Sequence, residues 1–224
     1  MKTAILAMAT AASALLAMLA GPHAIGQPWL AFVFKPLTTL LVIAYAWGRG
    51  AQTPAVRRWV LVGLWLSLAG DVALLWPQQG FLPGLVSFLL AHLAYLVAFT
   101  RDTRLAARPL PFAAYALLAA GILAWLWPGV PAPLKLPVMA YVVFLASMAA
   151  QAASRWMAHR ETAGLQLGAL GGLLFMCSDA LLAADRFHAP LPAAAVWILS
   201  TYWLAQWCIA SSLHGKTAHR AAGA

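Results

Sequence analysis

The sequence predicts an all-α membrane protein: a polytopic bundle of about eight transmembrane helices with both termini on the cytoplasmic side. Hydrophobic residues make up 64% of the chain and charged residues 8%, and the mean hydropathy is +0.83. A soluble domain typically carries roughly a quarter charged residues. The chain has room for about eight apolar segments of roughly 20 residues, each long enough to cross the ~30 Å hydrocarbon core. We therefore expect residues 1–224 to form a single integral membrane domain.

Membrane topology explains the positive charge. The net charge is +9, but the basic residues are scattered through short connections. They form no nucleic-acid motif or aromatic platform, so we expect no nucleic-acid partner. With both termini inside, eleven of the fourteen Lys and Arg residues lie on the cytoplasmic side, as the positive-inside rule predicts. We expect the protein in the bacterial inner (cytoplasmic) membrane. The eleven residues are Lys2, Arg49, Arg57, Arg58, Arg101, Arg104, Arg108, Arg155, Arg160, Lys216 and Arg220.

The apolar segments follow one another in order. Residues 1–20 resemble a signal peptide, but Met18 stands where a cleavage site after Ala20 needs a small residue, so an uncleaved first helix is favoured. The other predicted helices cover residues 28–47, 58–76, 81–100, 109–127, 133–154, from about 164 to the Asp185 region, and 192–213.

Two carboxylates stand inside these segments. Asp71 lies in an apolar run over residues 61–76 that is otherwise free of charge, and Asp179 lies in a similar run. An unpaired carboxylate is costly in hydrocarbon, so each should hold a proton or meet a partner or water. Helix direction places both in the outer half, at ~1.5 Å per residue roughly 8 Å below the outer helix ends. Nearby in depth are Lys35, Tyr141 and, nearer the midplane, His92 and Tyr202. We expect a one-sided pocket toward the outer half.

Each of these polar residues also has a purely structural interpretation. Either aspartate alone fits as a partner for Lys35, and Lys35 fits as an interface residue that snorkels outward. His92 fits as a satisfied core histidine. Tyr202 and Gln206 lie one turn apart on one helix face and fit as hydrogen-bonding groups between helices.

Two other pairs of residues have simple interpretations. Cys177 and Cys208 fall in apolar segments without a disulfide or CxxC spacing, so we expect both to be buried small hydrophobes. Asp185 next to Arg186 is typical of a surface ion pair.

The ordered motifs resemble those of the YhhN family of membrane proteins, whose animal members are lysoplasmalogenases. The matching elements are Lys35-Pro36, Ser67-xx-Gly70-Asp71, Phe88-xxx-His92-xx-Tyr95, Gly168-Ala169 through Phe175-xx-Ser178-Asp179, and Tyr202-xxx-Gln206. The resemblance implies hydrolysis of the vinyl ether bond of a lysoplasmalogen to a fatty aldehyde and a glycerophospho head group. It also implies a lysophospholipid substrate taken directly from the bilayer, with other membrane lipids around it. Bacterial members need not use the same lipid, since many bacteria make no plasmalogens.

Vinyl ether chemistry agrees with two carboxyl groups. Protonation of the carbon β to oxygen gives an oxocarbenium ion that water captures, a division of labour that two carboxylates perform in glycosidases. Our hypothesis is that Asp71 and Asp179 form the acid/base pair, and the sequence leaves their individual roles open. We expect no cofactor and no metal. The residues expected to bind or orient substrate are Lys35, His92, Tyr202, Ser67, Tyr141, Ser178 and Gln206.

Three alternatives stay open at the level of sequence. A proton-coupled small-molecule or lipid transporter also places paired acids within the membrane. A structural bundle is the second, in which the Gly164-xxx-Gly168-xxx-Gly172 stripe binds another subunit. The third is a metal-dependent hydrolase, although a catalytic zinc commonly needs three protein ligands and only His92 is deeply placed. The oligomeric state is open.

The two halves of the chain also echo one another weakly. Lys35-Pro36 before Asp71 is loosely mirrored by Lys135-Leu136-Pro137 before Asp179, which is compatible with an ancient four-plus-four helix duplication.

Overall fold

Eight α-helices form the part of the fold that the structure describes. A computed structural model of the protein describes residues 2–20, 26–76 and 78–213, and no strand occurs in these ranges. The predicted all-α class is therefore confirmed. The helices are α1 (Lys2–Met18), α2 (Pro28–Trp47), α3 (Pro54–Ala73), α4 (Phe81–Phe99), α5 (Pro109–Leu126), α6 (Lys135–Ala158), α7 (Leu165–Phe187) and α8 (Ala194–Ser211). Short 3₁₀ turns at Trp127–Gly129 and Ala132–Leu134 connect α5 to α6.

The outer surface of the bundle is apolar. Large side chains such as Leu117 and Leu136 are 76% and 72% exposed, which suits contact with lipid tails. Five helices (α2, α4, α5, α6 and α7) are long and apolar enough to cross a membrane. α1, with 17 residues, and α3 and α8 are not among these five. The chain is an integral membrane protein, and an eight-span topology with both ends inside stays a prediction.

Several helix ends differ from the predicted ones, and three of these differences have a clear physical reason. α3 begins earlier than residue 58, at Pro54, because proline is well suited to the first helical turn. α6 continues beyond residue 154 because Gln151 and Arg155 hold the α4–α5 connection and so belong to the packed bundle. α8 begins at Ala194, since Ala193 adopts a left-handed conformation with φ of 53°.

A polar cluster ties the α4–α5 connection to α6. The Gln151 Nε2 atom donates to the carbonyl oxygens of Phe99 at 3.2 Å, Thr103 at 3.2 Å and Arg104 at 3.3 Å. Its Oε1 atom accepts from the Ala106 N–H at 3.0 Å. The cluster supplies hydrogen-bond partners to backbone groups at and after the end of α4, which have no partner within a helix, and it anchors the start of α5.

α5 lies at the edge of the bundle. It packs mainly on α6, with a smaller contact to α7, while α3–α4, α6–α7, α7–α8, α1–α2 and α4–α6 form the larger contacts. α4 and α5 scarcely touch each other. The helices on either side of this gap therefore leave room for an internal space.

The glycine stripe of α7 serves packing within the chain. Gly164 precedes the helix as its N-cap, with φ of 91°. A Cβ at Gly168 would lie 3.2 Å from the Ser212 Cβ, and one at Gly172 would lie 2.8 Å from the Ala149 Cα. The stripe is thus covered by α8 and α6, and the interpretation that it binds another subunit is wrong for these two glycines.

The expectation for the cysteines is half wrong. Cys208 is buried, as expected, but Cys177 is exposed on α7. An apolar segment gives no amphipathic signal when its outer face meets lipid, so hydropathy does not separate buried from lipid-facing residues.

We expect Gly172→Ala to destabilise the protein, because the added Cβ meets the Ala149 backbone, which cannot move aside as a flexible side chain could. The expected loss is about 1–3 kcal/mol of unfolding free energy. The control is Gly121→Ala on α5, where a Cβ meets nothing within 4 Å and alanine favours the helix. Thermal unfolding in detergent measures both, and equal midpoints would contradict the packing described.

Candidate functional site

The first carboxyl cluster surrounds Asp71. Its Oδ2 atom accepts hydrogen bonds from the Thr39 hydroxyl at 2.6 Å and the Tyr202 hydroxyl at 2.8 Å. The Lys35 Nζ atom lies 3.6 Å from the Oδ1 atom, and the Asp71 side chain is 1% exposed. α2, α3 and α8 thus meet at this carboxyl group, which has both a cation and two hydroxyl donors.

The second cluster surrounds Asp179. The Tyr141 hydroxyl donates to its Oδ2 atom at 2.6 Å, and the His92 Nε2 atom lies 3.7 Å from the same oxygen. The Asp179 side chain is 13% exposed, whereas His92 is fully buried. Within the described residues, His92 Nε2 has no hydrogen-bond partner. No lysine or arginine in the described ranges lies within salt-bridge distance of Asp179.

Aromatic rings link the two clusters. The Phe88 ring lies 5.7 Å from the Tyr202 ring and 6.3 Å from the Phe175 ring, both edge to face. Phe175 also contacts Tyr202, at 5.5 Å, and His92, at 4.6 Å. No hydrogen bond or salt bridge among the described residues joins the two aspartates. Each aspartate therefore has its own partners, with an aromatic layer connecting the clusters.

An apolar cavity opens beside Asp179. It has a volume of about 820 Å³ including its mouth, and it lies among the ends of α3 to α7. The polar side chains in its wall are those of Asp179 and Tyr141, and Asp71 does not line it. The apolar lining includes Leu85, Phe88, Leu123, Leu126, Leu145 and Met176.

A groove continues the cavity along α5 and α6. It shares Ala119, Leu123 and Val142 with the cavity wall. It runs toward Phe112 and Ala150, at the opposite ends of these helices from the cavity mouth. Together they form an apolar path beside a single carboxyl group.

The remaining predicted site residues hold helices together. The Ser67 and Tyr95 hydroxyls lie 3.4 Å apart, and the Tyr95 hydroxyl donates to the Gln206 Oε1 atom at 2.7 Å. The Ser178 hydroxyl donates to the Ile198 carbonyl oxygen at 3.0 Å, which ties α7 to α8. Ser67, Ser178 and Gln206 do not line the cavity. Their expected role in orienting substrate stays a prediction.

Sequence reasoning missed Thr39 and the wall position of Phe88. Thr39 follows Lys35 by four residues, so the two share a helix face, and this spacing was a usable signal. The Trp203 indole N–H donates to the Thr39 hydroxyl oxygen at 3.2 Å, which fixes that hydroxyl toward Asp71. Phe88 belongs to the Phe88-xxx-His92-xx-Tyr95 motif, but only packing shows that its ring lies on the cavity wall.

No metal-like cluster occurs in the part of the chain that the structure describes. None of its side chains form a group of three or more His, Cys, Asp or Glu that could hold an ion. The Asp179 cluster holds one carboxyl group, one imidazole and one phenol.

Comparison with known proteins gives consistent names. The chain is 30% identical over 203 residues to lysoplasmalogenase TMEM86A of Bos taurus, covering 82% of this chain and 78% of that protein. It is 32% identical to a lysoplasmalogenase of Mycobacterium bovis, with coverage of 82% and 69%. It is 28% identical to an uncharacterised membrane protein, YhhN, of Escherichia coli, with coverage of 84% and 89%.

No solved structure matches the chain. The sequence profile of the YhhN family matches residues 30–213, which include both carboxyl clusters. The resemblance found in the motifs is therefore confirmed, and the chain belongs to the YhhN family.

Proposed function

We propose that the protein is a membrane-embedded hydrolase that cleaves the vinyl ether bond of lysoplasmalogen-like lysophospholipids. The observation that carries this proposal is the carboxyl group of Asp179 on the wall of an otherwise apolar cavity. Relatives at about 30% identity that bear the name lysoplasmalogenase support it. The proposed products are a fatty aldehyde and a glycerophospho head group.

The apolar path suits a single hydrocarbon chain. Ligand pockets are lined mainly by apolar side chains with a few polar groups, and the cavity has this composition, with Asp179 and Tyr141 among apolar residues. Beyond Asp179, the α5–α6 groove offers further apolar surface for the rest of the chain. In this arrangement the reactive bond lies at Asp179 and the head group lies at the cavity mouth.

Asp179 is the proposed general acid. Its carboxyl proton goes to the alkenyl carbon β to the ether oxygen, which leaves a carboxylate and an oxocarbenium ion. Water adds to the oxocarbenium carbon and gives a proton to the Asp179 carboxylate. The resulting hemiacetal collapses to the aldehyde and the free alcohol. One water is consumed and Asp179 ends protonated, so the step is balanced.

Tyr141 and His92 position this acid. The Tyr141 hydroxyl fixes one carboxyl oxygen by its 2.6 Å hydrogen bond. The His92 Nε2 atom lies 3.7 Å from the same oxygen, so a small shift of either side chain brings the imidazole into direct hydrogen-bond distance for return of the proton. Both residues hold Asp179 toward the cavity in the proposed mechanism.

In the proposed pair, Asp71 stabilises the oxocarbenium ion by its negative charge. Tyr202, which donates to Asp71, contacts the Phe88 ring of the cavity wall, so the carboxyl group lies close behind that wall. A fixed negative charge in a low-dielectric site can stabilise a developing cation without direct contact. Lys35 and Thr39 hold this charge in place between turnovers.

The proposed location follows from helix direction. With both termini in the cytoplasm, the cavity mouth formed by the end of α7 and the start of α4 faces the outer half of the bacterial inner membrane. The positive-inside distribution of basic residues supports this orientation.

We expect Asp179→Asn to lower kcat for lysoplasmalogen cleavage by about 100-fold or more, because the amide cannot donate a proton to carbon. The control is Glu161→Gln, which removes an exposed acid in the α6–α7 connection, away from the cavity. Mass spectrometry of the released aldehyde and lysolipid measures both variants. A saturated ether of the same chain length should stay intact, since it has no double bond to protonate.

The acid/base proposal has a clear failing outcome. Asp71→Asn and Asp179→Asn, purified as folded protein at normal yield, must both lose activity. Wild-type cleavage rates in both variants would contradict the paired-aspartate mechanism. Cleavage of the saturated ether as fast as the vinyl ether would contradict protonation of the double bond as the first step.

A second prediction concerns the Lys35–Asp71 pair. Lys35→Met leaves the nearly fully buried Asp71 without its cation, so we expect a loss of about 3 kcal/mol of unfolding free energy. The double variant Lys35→Met with Asp71→Asn removes both charges and should recover most of that loss. Thermal or denaturant unfolding of wild type, Lys35→Met, Asp71→Asn and the double variant gives the coupling free energy. A double-variant loss equal to the sum of the two single-variant losses would show that the two charges are not coupled.

A further inference from the structure

The mouth of the cavity has a defined position in the fold. Phe81 at the start of α4, Val130 before α6 and Phe187 at the end of α7 line it. The Trp127–Gly129 turn closes against α7 here, since a Cβ at Gly129 would lie 1.7 Å from the Phe187 carbonyl oxygen. Two basic residues flank this closed corner.

Arg186 lies on the cavity side of α7. It follows Asp179 by seven residues and Ala183 by three, so all three lie on nearly the same helix face, and the latter two line the cavity. The Arg186 Cζ atom lies 4.8 Å from the centroid of the Phe81 ring, which is itself part of the mouth. This contact holds the guanidinium group at the mouth.

Lys135 lies on the cavity side of α6. It precedes Val138 by three residues and Val142 by seven, and both of these line the cavity. The Lys135 Nζ atom lies 4.9 Å from the centroid of the Trp127 ring, in the turn that packs on α7. Neither side chain lines the cavity itself, and both lie beside its mouth, Lys135 at the start of α6 and Arg186 at the end of α7.

Neither cation is neutralised by a described acidic side chain. The salt bridges of the described ranges involve Lys35, His92 and Arg155, and not Arg186 or Lys135. The predicted surface ion pair of Asp185 with Arg186 is wrong. The Asp185 Oδ1 atom instead accepts the Leu191 N–H at 2.8 Å. Two basic side chains at the end of an apolar cavity match a ligand with one anionic group and one hydrocarbon chain.

We propose that Arg186 and Lys135 bind the phosphate of the lysophospholipid whose hydrocarbon chain occupies the cavity. This proposal deepens the proposed function and rests on it for the identity of the substrate. It assigns the head-group contact to these two residues, whereas the sequence favoured Lys35, His92 and Tyr202.

The spacing along α7 fits this assignment. Seven residues place Arg186 about 10 Å along the helix axis from Asp179. In a lysoplasmalogen, seven covalent bonds separate the protonated alkenyl carbon from phosphorus, or about 8 Å when extended. The flexible arginine side chain covers the difference. One extended head group can therefore reach the Arg186 region while its vinyl ether lies at Asp179.

The test compares two uncleavable lipids on purified protein in nanodiscs. The first is a 1-alkyl lysophospholipid, and the second is the matching 1-alkylglycerol without phosphate; equilibrium binding of each is measured with a radiolabel. We expect Arg186→Gln with Lys135→Gln to weaken binding of the phosphate-bearing lipid by about tenfold or more. Binding of the alkylglycerol should not change. Arg186→Lys keeps the positive charge and should keep most of the binding.

Arg160→Gln is the matched control. Arg160 also lies beside a tryptophan, with its Cζ atom 5.7 Å from the Trp156 ring centroid, but at the other end of α6. The Arg160→Gln variant should bind both lipids as tightly as the wild type does. Size-exclusion elution and thermal unfolding must show that each variant is folded. If the double variant is not, the single variant Arg186→Gln takes its place and should weaken binding of the phosphate-bearing lipid but not of the alkylglycerol.

Three outcomes would overturn the proposal that Arg186 and Lys135 bind the phosphate. Equal binding of both lipids by wild type, or equal weakening of both in the double variant, would show that the phosphate is not recognised here. Displacement of the lipid by glycerol 3-phosphate at equal potency would indicate a free-phosphate site. Failure of the proposed function would give a different result. The wild type would then bind the phosphate-bearing lipid more tightly, and the Arg186 variants would weaken that binding, but the vinyl ether would not be cleaved.

Discussion

The bundle depends on how it accommodates the carboxyl group of Asp71. The group is almost fully buried, and hydrocarbon provides no solvent for it. Its compensation comes from Lys35 and Thr39 on α2 and from Tyr202 on α8. These contacts fix α2, α3 and α8 relative to one another, so they join the early and late parts of the chain. Trp203 strengthens this point through its hydrogen bond to Thr39.

The two aspartates have unlike surroundings, and this difference divides their proposed roles. Asp71 has a cation and two hydroxyl donors but no place on the cavity wall. Asp179 has one hydroxyl donor and a buried imidazole, and it faces apolar space. A carboxyl group that must give a proton to carbon needs to touch the substrate, while a group that acts by its charge need not. On the proposed function, this difference favours Asp179 as the acid, a choice that the sequence left open.

Much of the site could be predicted because helix direction converts sequence position into depth. That conversion brought Lys35 to the level of Asp71 and Tyr141 to the level of Asp179, and both contacts occur. Rotation about each helix axis could not be predicted in the same way, since segments that are apolar all round carry little directional signal. This is why Cys177 was expected to be buried and why the wall position of Phe88 was missed. The partners of the α7 glycines needed the positions of α6 and α8.

The edge position of α5 has a consequence for kinetics. α5 packs mainly on α6, and the groove between them carries the apolar path from the cavity to the lipid-facing surface. On the proposed function, both the substrate chain and the aldehyde product exchange sideways with surrounding lipid and never enter bulk water. The rate would then follow the mole fraction of substrate among the bilayer lipids, and added inert lipid would slow turnover by surface dilution even at constant total substrate.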